Sequence, residues 1–148
     1  MALIDTLIAR RQKLLLIAAL GFTMWQGGLL LNKMFPTDDT AHAIALAMTL
    51  TGAFQWAAFS IGFVHFSRKA KPEIEALNDE LTRSNRAKSL MYGYMALLGA
   101  ISLLFGLSTV LGQTRFPALN ADFIIHGLLI LAVVCPILCF FWLERSNA

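Results

Sequence analysis

The stretch LLLIAALGFTMWQGGLLLNKM, residues 14–34, decides the fold of this chain. It contains no acidic residue, and its single basic residue, Lys33, lies next to its end. A helix of this length rises about 30 Å, which matches the hydrocarbon core of a bilayer. Its apolar part is longer than the core of a signal peptide, and no small-residue cleavage site follows it. The stretch therefore predicts a membrane-spanning helix that is retained.

Three further apolar runs are long enough to cross a membrane, at residues 41–66, 89–112 and 121–143. Of the 148 residues, 57% are hydrophobic and 14% are charged, and the mean hydropathy is +0.66. These values are too apolar for a soluble domain of this size. Because the four runs occupy most of the chain, we predict a single all-α integral membrane domain over residues 1–148, without a soluble catalytic domain.

Short connections join the first span to the second and the third span to the fourth. They read FPTDD, residues 35–39, and QTRFPALN, residues 113–120. Proline stops a helix, and Thr or Asp caps the next one, so each connection suits a tight helical hairpin. Short connections make consecutive helices antiparallel neighbours. The sequence therefore predicts four transmembrane helices in an up-down-up-down bundle.

Lys and Arg residues are divided unequally between the two sides of the predicted bundle. One side carries only Lys33 and Arg115. The other carries Arg10, Arg11, Lys13, Arg68, Lys69, Lys71, Arg83, Arg86, Lys88 and Arg145. Since positive residues near span ends stay in the cytoplasm, both termini and the middle connector are predicted to be cytoplasmic, in a bacterial-type inner (plasma) membrane. The net charge of +3 reflects this topology, and no nucleic-acid partner is predicted.

Two short amphipathic helices are expected at the membrane surface. The apolar residues of the segment 1–12 share one helical face: Leu3, Ile4, Leu7 and Ile8. In the middle connector, residues 67–88, Pro72 suits a first helical turn. A narrow apolar stripe follows it: Ile74, Leu77 and Leu81. Two interpretations of this connector stay open, a solvated segment lying on the membrane and a docking helix for a cytoplasmic partner or a second copy.

Amide and indole side chains recur together inside the first two spans, as Trp25 with Gln26 and as Gln55 with Trp56. Each glutamine lies thirteen residues from a basic residue on the same side of the membrane, and hence at a common depth of about 20 Å. Small residues nearby are expected to let the two helices approach: Thr23, Gly27, Ala53 and Ala57. The leading interpretation is an amide pair that joins the helices, because an unpaired amide in lipid is costly. The alternative is a polar grip on a quinone or a lipid headgroup, with the tryptophans as walls.

His42 and His126 are the remaining candidate ligands, because two histidines on different helices can hold haem b. Their spans lie diagonally across the predicted bundle, but their depths disagree. His42 is 26 residues from Arg68, about 39 Å, and His126 is 19 residues from Arg145, about 28 Å. Haem b is therefore not favoured. It stays, with quinone, as an alternative whose site would comprise six residues: Trp25, Gln26, His42, Gln55, Trp56 and His126.

The interior of the predicted spans lacks Asp and Glu, which disfavours an ion-coupled transporter. Nothing resembles a nucleophile with its base, a metal-ligand cluster or a phosphate loop, so neither catalytic nor metal-binding residues are predicted. Cys135 and Cys139 lie four residues apart in one span and are interpreted as apolar filler without a disulfide.

The third span is rich in small residues at i,i+4 spacing, a pattern typical of helices that pack within a bundle or against another subunit. The pairs are Ala96 with Ala100, Ser102 with Gly106, and Ser108 with Gly112. We expect a non-enzymatic accessory, assembly or scaffold subunit that binds other membrane proteins or copies of itself in the lipid bilayer. The alternatives are a carrier of haem b or quinone, and an oligomeric channel or small-solute transporter.

Overall fold

The computed structural model describes residues 2–69, 80–111 and 121–146. Within these ranges the chain forms four α-helices: α1 (Ala2–Met34), α2 (Asp39–Lys69), α3 (Glu80–Leu111) and α4 (Ala121–Ser146). All four are long and apolar enough to cross a membrane, which confirms the prediction of four helices that can span a bilayer. Each predicted span lies within one helix, except that residue 112 falls outside the described residues.

The short helix predicted for residues 1–12 is not a separate element. The chain continues from Ala2 into α1 without a break, and neither Gly nor Pro precedes Gly21 to interrupt it. The amphipathic pattern at the start of the chain is therefore the first part of a long helix. In the middle connector, residues 67–69 belong to α2 and residues 80–88 belong to α3, so its described part forms no separate short helix, and residues 70–79 lie outside the described residues.

The helices α1 and α2 pack backbone against backbone along two seams with alternating intervals of three and four residues. The α1 seam consists of Ala18, Gly21, Trp25 and Gly28, and the α2 seam of Ala45, Thr49, Gly52 and Trp56. Ala18 and Ala45 are fully buried. A Cβ atom added to Gly52 would lie 2.5 Å from the carbonyl oxygen of Gly21, and one added to Gly28 would lie 2.7 Å from that of Ala45. These contacts make α1 and α2 antiparallel.

The remaining contacts place α1 and α4 in the middle of the molecule. The helix α1 packs against α2 and α4, and α4 packs against α3. The described residues of α2 and α3 do not pack extensively against each other. At the α3–α4 contact, Gly93 lies against the ring of Pro136, and an added Cβ would lie 2.9 Å from its Cδ. The four helices thus form a bundle in which, among the described residues, the α2–α3 side lacks extensive contacts.

Large apolar side chains cover much of the outer surface. Phe54, Ile61, Phe105 and Trp142 are each at least two-thirds exposed. Among the described residues, the buried set instead includes polar groups such as Gln26, Asn85 and Ser89. Since soluble proteins rarely expose so much contiguous apolar surface, this distribution is typical of a helical protein surrounded by lipid.

Candidate functional site

Three polar pairs join α1 to α4, one near each end and one in the interior. They are Arg11 with Glu144, Gln26 with His126, and Lys33 with Asp122. Along α1, Arg11 and Lys33 are separated by about 33 Å at 1.5 Å per residue, close to the thickness of a hydrocarbon core. The spacing therefore suits ion pairs at the two membrane surfaces and an amide–imidazole pair between them. We refer to the two ends of the bundle as the Arg11 end and the Lys33 end.

The interior pair is a hydrogen bond between side chains that lie one hundred residues apart in the sequence. The Nδ1 atom of His126 is 2.7 Å from Oε1 of Gln26, and Gln26 is only 6% exposed. With the amide oxygen as acceptor, a neutral imidazole carries its proton on Nδ1 and keeps Nε2 as an acceptor. The bond satisfies a carbonyl that would otherwise be buried in the apolar interior without a partner.

The predicted amide pair between Gln26 and Gln55 is not formed. Gly21 lies opposite Gly52, and in this antiparallel register Gln26 is level with residue 47, about 12 Å from Gln55. The prediction failed because it assumed that the nearest basic residues on the two spans lie at one depth. The register is set instead by the short connection and by the glycine seams. A depth counted from the basic residues therefore does not give the register of α1 against α2.

Gln55 packs against α1 at a different place from Gln26. A Cβ atom added to Gly21 would lie 2.9 Å from Cβ of Gln55 and 3.3 Å from its Oε1. Within the described residues, this buried Oε1 has no hydrogen-bond partner. The methylene stem of Gln55 thus fills the space over Gly21, and its amide contributes less than that of Gln26 to helix association.

The two tryptophans are held by an aromatic cluster between α1 and α2. The ring of Phe22 contacts Trp25 edge-on at a centroid distance of 6.0 Å and Trp56 at 4.9 Å. From Trp56 the cluster continues along α2 to Phe59 at 5.8 Å and then to Phe63 at 6.0 Å. Phe22 was not among the sequence-predicted candidates, although its spacing of three residues from Trp25 is the signal of a shared helical face.

The two candidate histidines are held separately. Nδ1 of His42 is 2.6 Å from Oδ1 of Asn32, a residue that sequence reasoning did not single out, whereas His126 binds Gln26. Asn32 and Gln26 are six residues apart on α1, which separates them by about 9 Å along the helix and by about 120° around it. The structure therefore holds the histidines on different faces of α1, an arrangement that does not favour a bis-histidine haem site.

The remaining candidate ligands do not form a cluster. Among the described residues, no group of three or more His, Cys, Asp or Glu side chains is arranged to hold a metal ion. Cys135 and Cys139 are free, with their sulfur atoms 4.0 Å apart on one face of α4. This confirms the prediction that the two thiols are not joined as a disulfide.

We expect Gln26→Leu to destabilise the protein by about 1 kcal/mol, because it leaves the imidazole of His126 without its partner inside the membrane. His126→Leu should have a similar effect, and the double change should cost less than the sum of the two. Unfolding in mixed detergent micelles measures all three variants. Gln55→Leu is the matched control and should be close to neutral, since the Oε1 that it removes is unpartnered among the described residues.

Additive effects of Gln26→Leu and His126→Leu would show that the hydrogen bond contributes nothing to stability. Equal losses in the Gln26 and Gln55 variants would contradict the assignment of the stabilising contact to the α1–α4 interface.

Four polar pairs described above join α1 to its neighbours: Asn32 pairs with His42 on α2, and three further pairs join α1 to α4. Among the described residues, α3 makes extensive contacts with α4 and with no other helix. Comparison of the chain with known protein families, with curated proteins and with solved structures shows no match to any of them.

Proposed function

We propose that this protein is a non-catalytic subunit of a membrane protein complex, with an accessory, assembly or scaffold role, and that it binds its partner through α3. One observation carries the proposal. The helix α3 has the same kind of small-residue seam that joins α1 to α2, but on a face that other described residues do not cover.

The α3 seam consists of Met95, Gly99, Ser102, Gly106 and Thr109, at alternating intervals of four and three residues. Its two glycines are seven residues apart, as are Gly21 and Gly28 in the α1 seam. A Cβ atom added to Gly99 or Gly106 would meet nothing within 4 Å among the described atoms, whereas one added to Gly28 would overlap α2. The α3 seam therefore has the shape of a helix contact with the second helix missing.

The physical chemistry of lipid supports a helix as the occupant of this seam. Helices in a bilayer gain little from hydrophobic burial, so they associate where small residues let their backbones approach. The hydroxyl of Thr109 donates to the carbonyl oxygen of Gly106 at 2.8 Å, so a partner is not needed to satisfy it. Leu103 and Phe105 are 64% and 70% exposed beside the seam and offer dispersion contacts to a neighbouring helix.

We further propose that the Arg11 end faces the cytoplasm of a bacterial-type inner membrane. The support is the distribution of charge in the sequence, where all but two of the twelve Lys and Arg residues belong to that side. A fluorescent protein fused to the C-terminus should then fold and fluoresce inside the cell. Activity of a periplasm-dependent phosphatase at the same position would reverse the assignment.

We expect the variant Gly99→Leu/Gly106→Leu to lose its partner while keeping its own fold. The new side chains prevent backbone contact at the α3 seam, but they enter open space in the isolated subunit. Native mass analysis after extraction in mild detergent should give a particle larger than one subunit for the wild type and a single subunit for the variant.

Gly62→Leu on α2 is the control, because a Cβ atom at Gly62 also meets nothing within 4 Å. This variant should keep the large particle. A wild-type protein that is a single subunit without co-purifying protein would count against the proposed function, and so would equal dissociation of the Gly62 and Gly99/Gly106 variants.

A further inference from the structure

The two thiols of the chain lie together on one face of α4. Cys135 and Cys139 are both free and half-buried, and their sulfur atoms are 4.0 Å apart. The sequence contains no other cysteine. Neither the polar pairs of the α1–α4 interface nor the α3 seam uses these side chains, so the function proposed above gives the thiols no role.

The geometry of an α-helix brings both sulfur atoms to a side of α4 that is separate from its helix contacts. With about 100° per residue, the thiols lie about 140° around α4 from the buried residues Phe140 and Glu144. Pro136, which contacts α3 at Gly93, lies between these two directions. A ligand can therefore reach both sulfurs without disturbing the contacts of α4 with α1 and α3.

The distance between the sulfur atoms suits a single metal ion. Thiolate sulfur selects soft metal ions, and a metal–thiolate bond is about 2.3 Å long. Two sulfurs on opposite sides of one ion are then about 4.6 Å apart. The thiols, at 4.0 Å, reach this separation by a small rotation about their Cα–Cβ bonds. The pair is thus preformed to chelate one ion that takes two ligands.

Ligand number and charge narrow the choice of ion. Structural zinc takes four ligands, whereas the described residues contain no group of three or more His, Cys, Asp or Glu side chains arranged to hold a metal. A net charge is costly in the apolar interior of a membrane, and one divalent ion neutralises two thiolates. A soft divalent cation with a preference for two ligands, such as Hg(II), meets both conditions, whereas a monovalent ion leaves a net negative charge.

We propose that Cys135 and Cys139 form a chelating site for a soft, two-coordinate divalent cation of the Hg(II) class. Each thiol gives up its proton as its sulfur bonds to the metal. One divalent ion and two thiols therefore give a neutral bis-thiolate and two protons, and neither the metal nor the sulfurs change oxidation state.

The test uses the full chain in detergent, titrated with mercuric chloride in the presence of an excess of 2-mercaptoethanol. The wild type should retain one ion per chain, with new thiolate-to-metal absorption in the ultraviolet, because both bonds belong to one chelate. Cys135→Ala and Cys139→Ala should each lower the affinity by about a hundredfold or more, since the second bond must then come from the competing monothiol. Both variants should keep the unfolding temperature of the wild type.

Cys139→Ala/Ile137→Cys is the matched control, because it keeps two thiols but places them about 160° apart around α4. This variant should bind as weakly as Cys139→Ala. Native mass analysis distinguishes an ion chelated within one chain from an ion that bridges two chains. Equal retention of the ion by the wild type and either single variant would overturn the proposal. So would an ion that bridges two chains, or wild-type affinity in the Cys139→Ala/Ile137→Cys variant.

Discussion

Gly52→Leu is expected to separate α1 from α2 and to lower the free energy of unfolding by about 3 kcal/mol or more. The hydrogen atom of Gly52 faces the backbone of α1, and a Cβ atom there would lie 2.5 Å from the carbonyl oxygen of Gly21. Backbone cannot rotate away as a flexible side chain can, so the two helices must move apart. Their separation would also loosen the contacts of Phe22 with Trp56.

The loss is measured by unfolding in mixed detergent micelles, with intrinsic tryptophan fluorescence as the signal. Gly62→Leu on the same helix is the matched control, because an added Cβ at that position meets nothing within 4 Å, and it should change stability little. If the Gly52 and Gly62 variants were equally stable, the close approach of α1 and α2 at Gly21 and Gly52 would be wrong.

The contact between α1 and α2 separates the features that the sequence predicts well from those that it predicts poorly. Hydropathy and helix length placed all four spans correctly, because lipid requires long apolar helices whatever their neighbours are. The residues at the contact between α1 and α2 were harder to predict. Gly27 was expected in the α1–α2 contact, but the seam uses its neighbour Gly28, while an added Cβ at Gly27 would lie 3.8 Å from Met48. One residue around a helix is 100°, so a small-residue motif alone did not determine the contact face.

The polar partners were even less predictable, for a related reason. Gln26 binds His126, and the direction of each side chain follows from how α4 docks on α1 rather than from the local sequence. Depth counted from the basic residues placed Gln26 opposite Gln55 because it ignored the register that the glycine seams impose. The same count gave the two histidines different depths, and the structure holds them on partners that lie about 9 Å apart along α1.

The proposed function follows from one feature of the packing. Among the described residues, α3 makes its extensive contacts with α4. In that part of the chain, this arrangement leaves the seam of Gly99 and Gly106 without a neighbouring helix.

The second large effect is expected at the Arg11 end of the α1–α4 interface, where Glu144→Leu should lower the free energy of unfolding by about 3 kcal/mol. The side chains of Glu144 and Arg11 are only 6% and 21% exposed. Removal of the carboxylate leaves a largely buried guanidinium without the anion that compensates its charge on α4, and that charge has already lost much of its hydration. Chemical unfolding of the variant against the wild type, at one ionic strength, measures the difference.

The ion pair at the opposite end of the same two helices supplies the control. Nζ of Lys33 lies 2.5 Å from Oδ2 of Asp122, but the two side chains are 45% and 50% exposed. Ion pairs between exposed side chains contribute little to stability because water screens them, so Asp122→Leu should have a small effect. Arg11→Leu/Glu144→Leu should recover part of the stability lost in Glu144→Leu, because it removes the buried positive charge together with the carboxylate. Equal losses of stability in the Glu144 and Asp122 variants would mean that burial does not distinguish the two ends. A double variant less stable than Glu144→Leu would mean that Arg11 stabilises the bundle by contacts other than this ion pair.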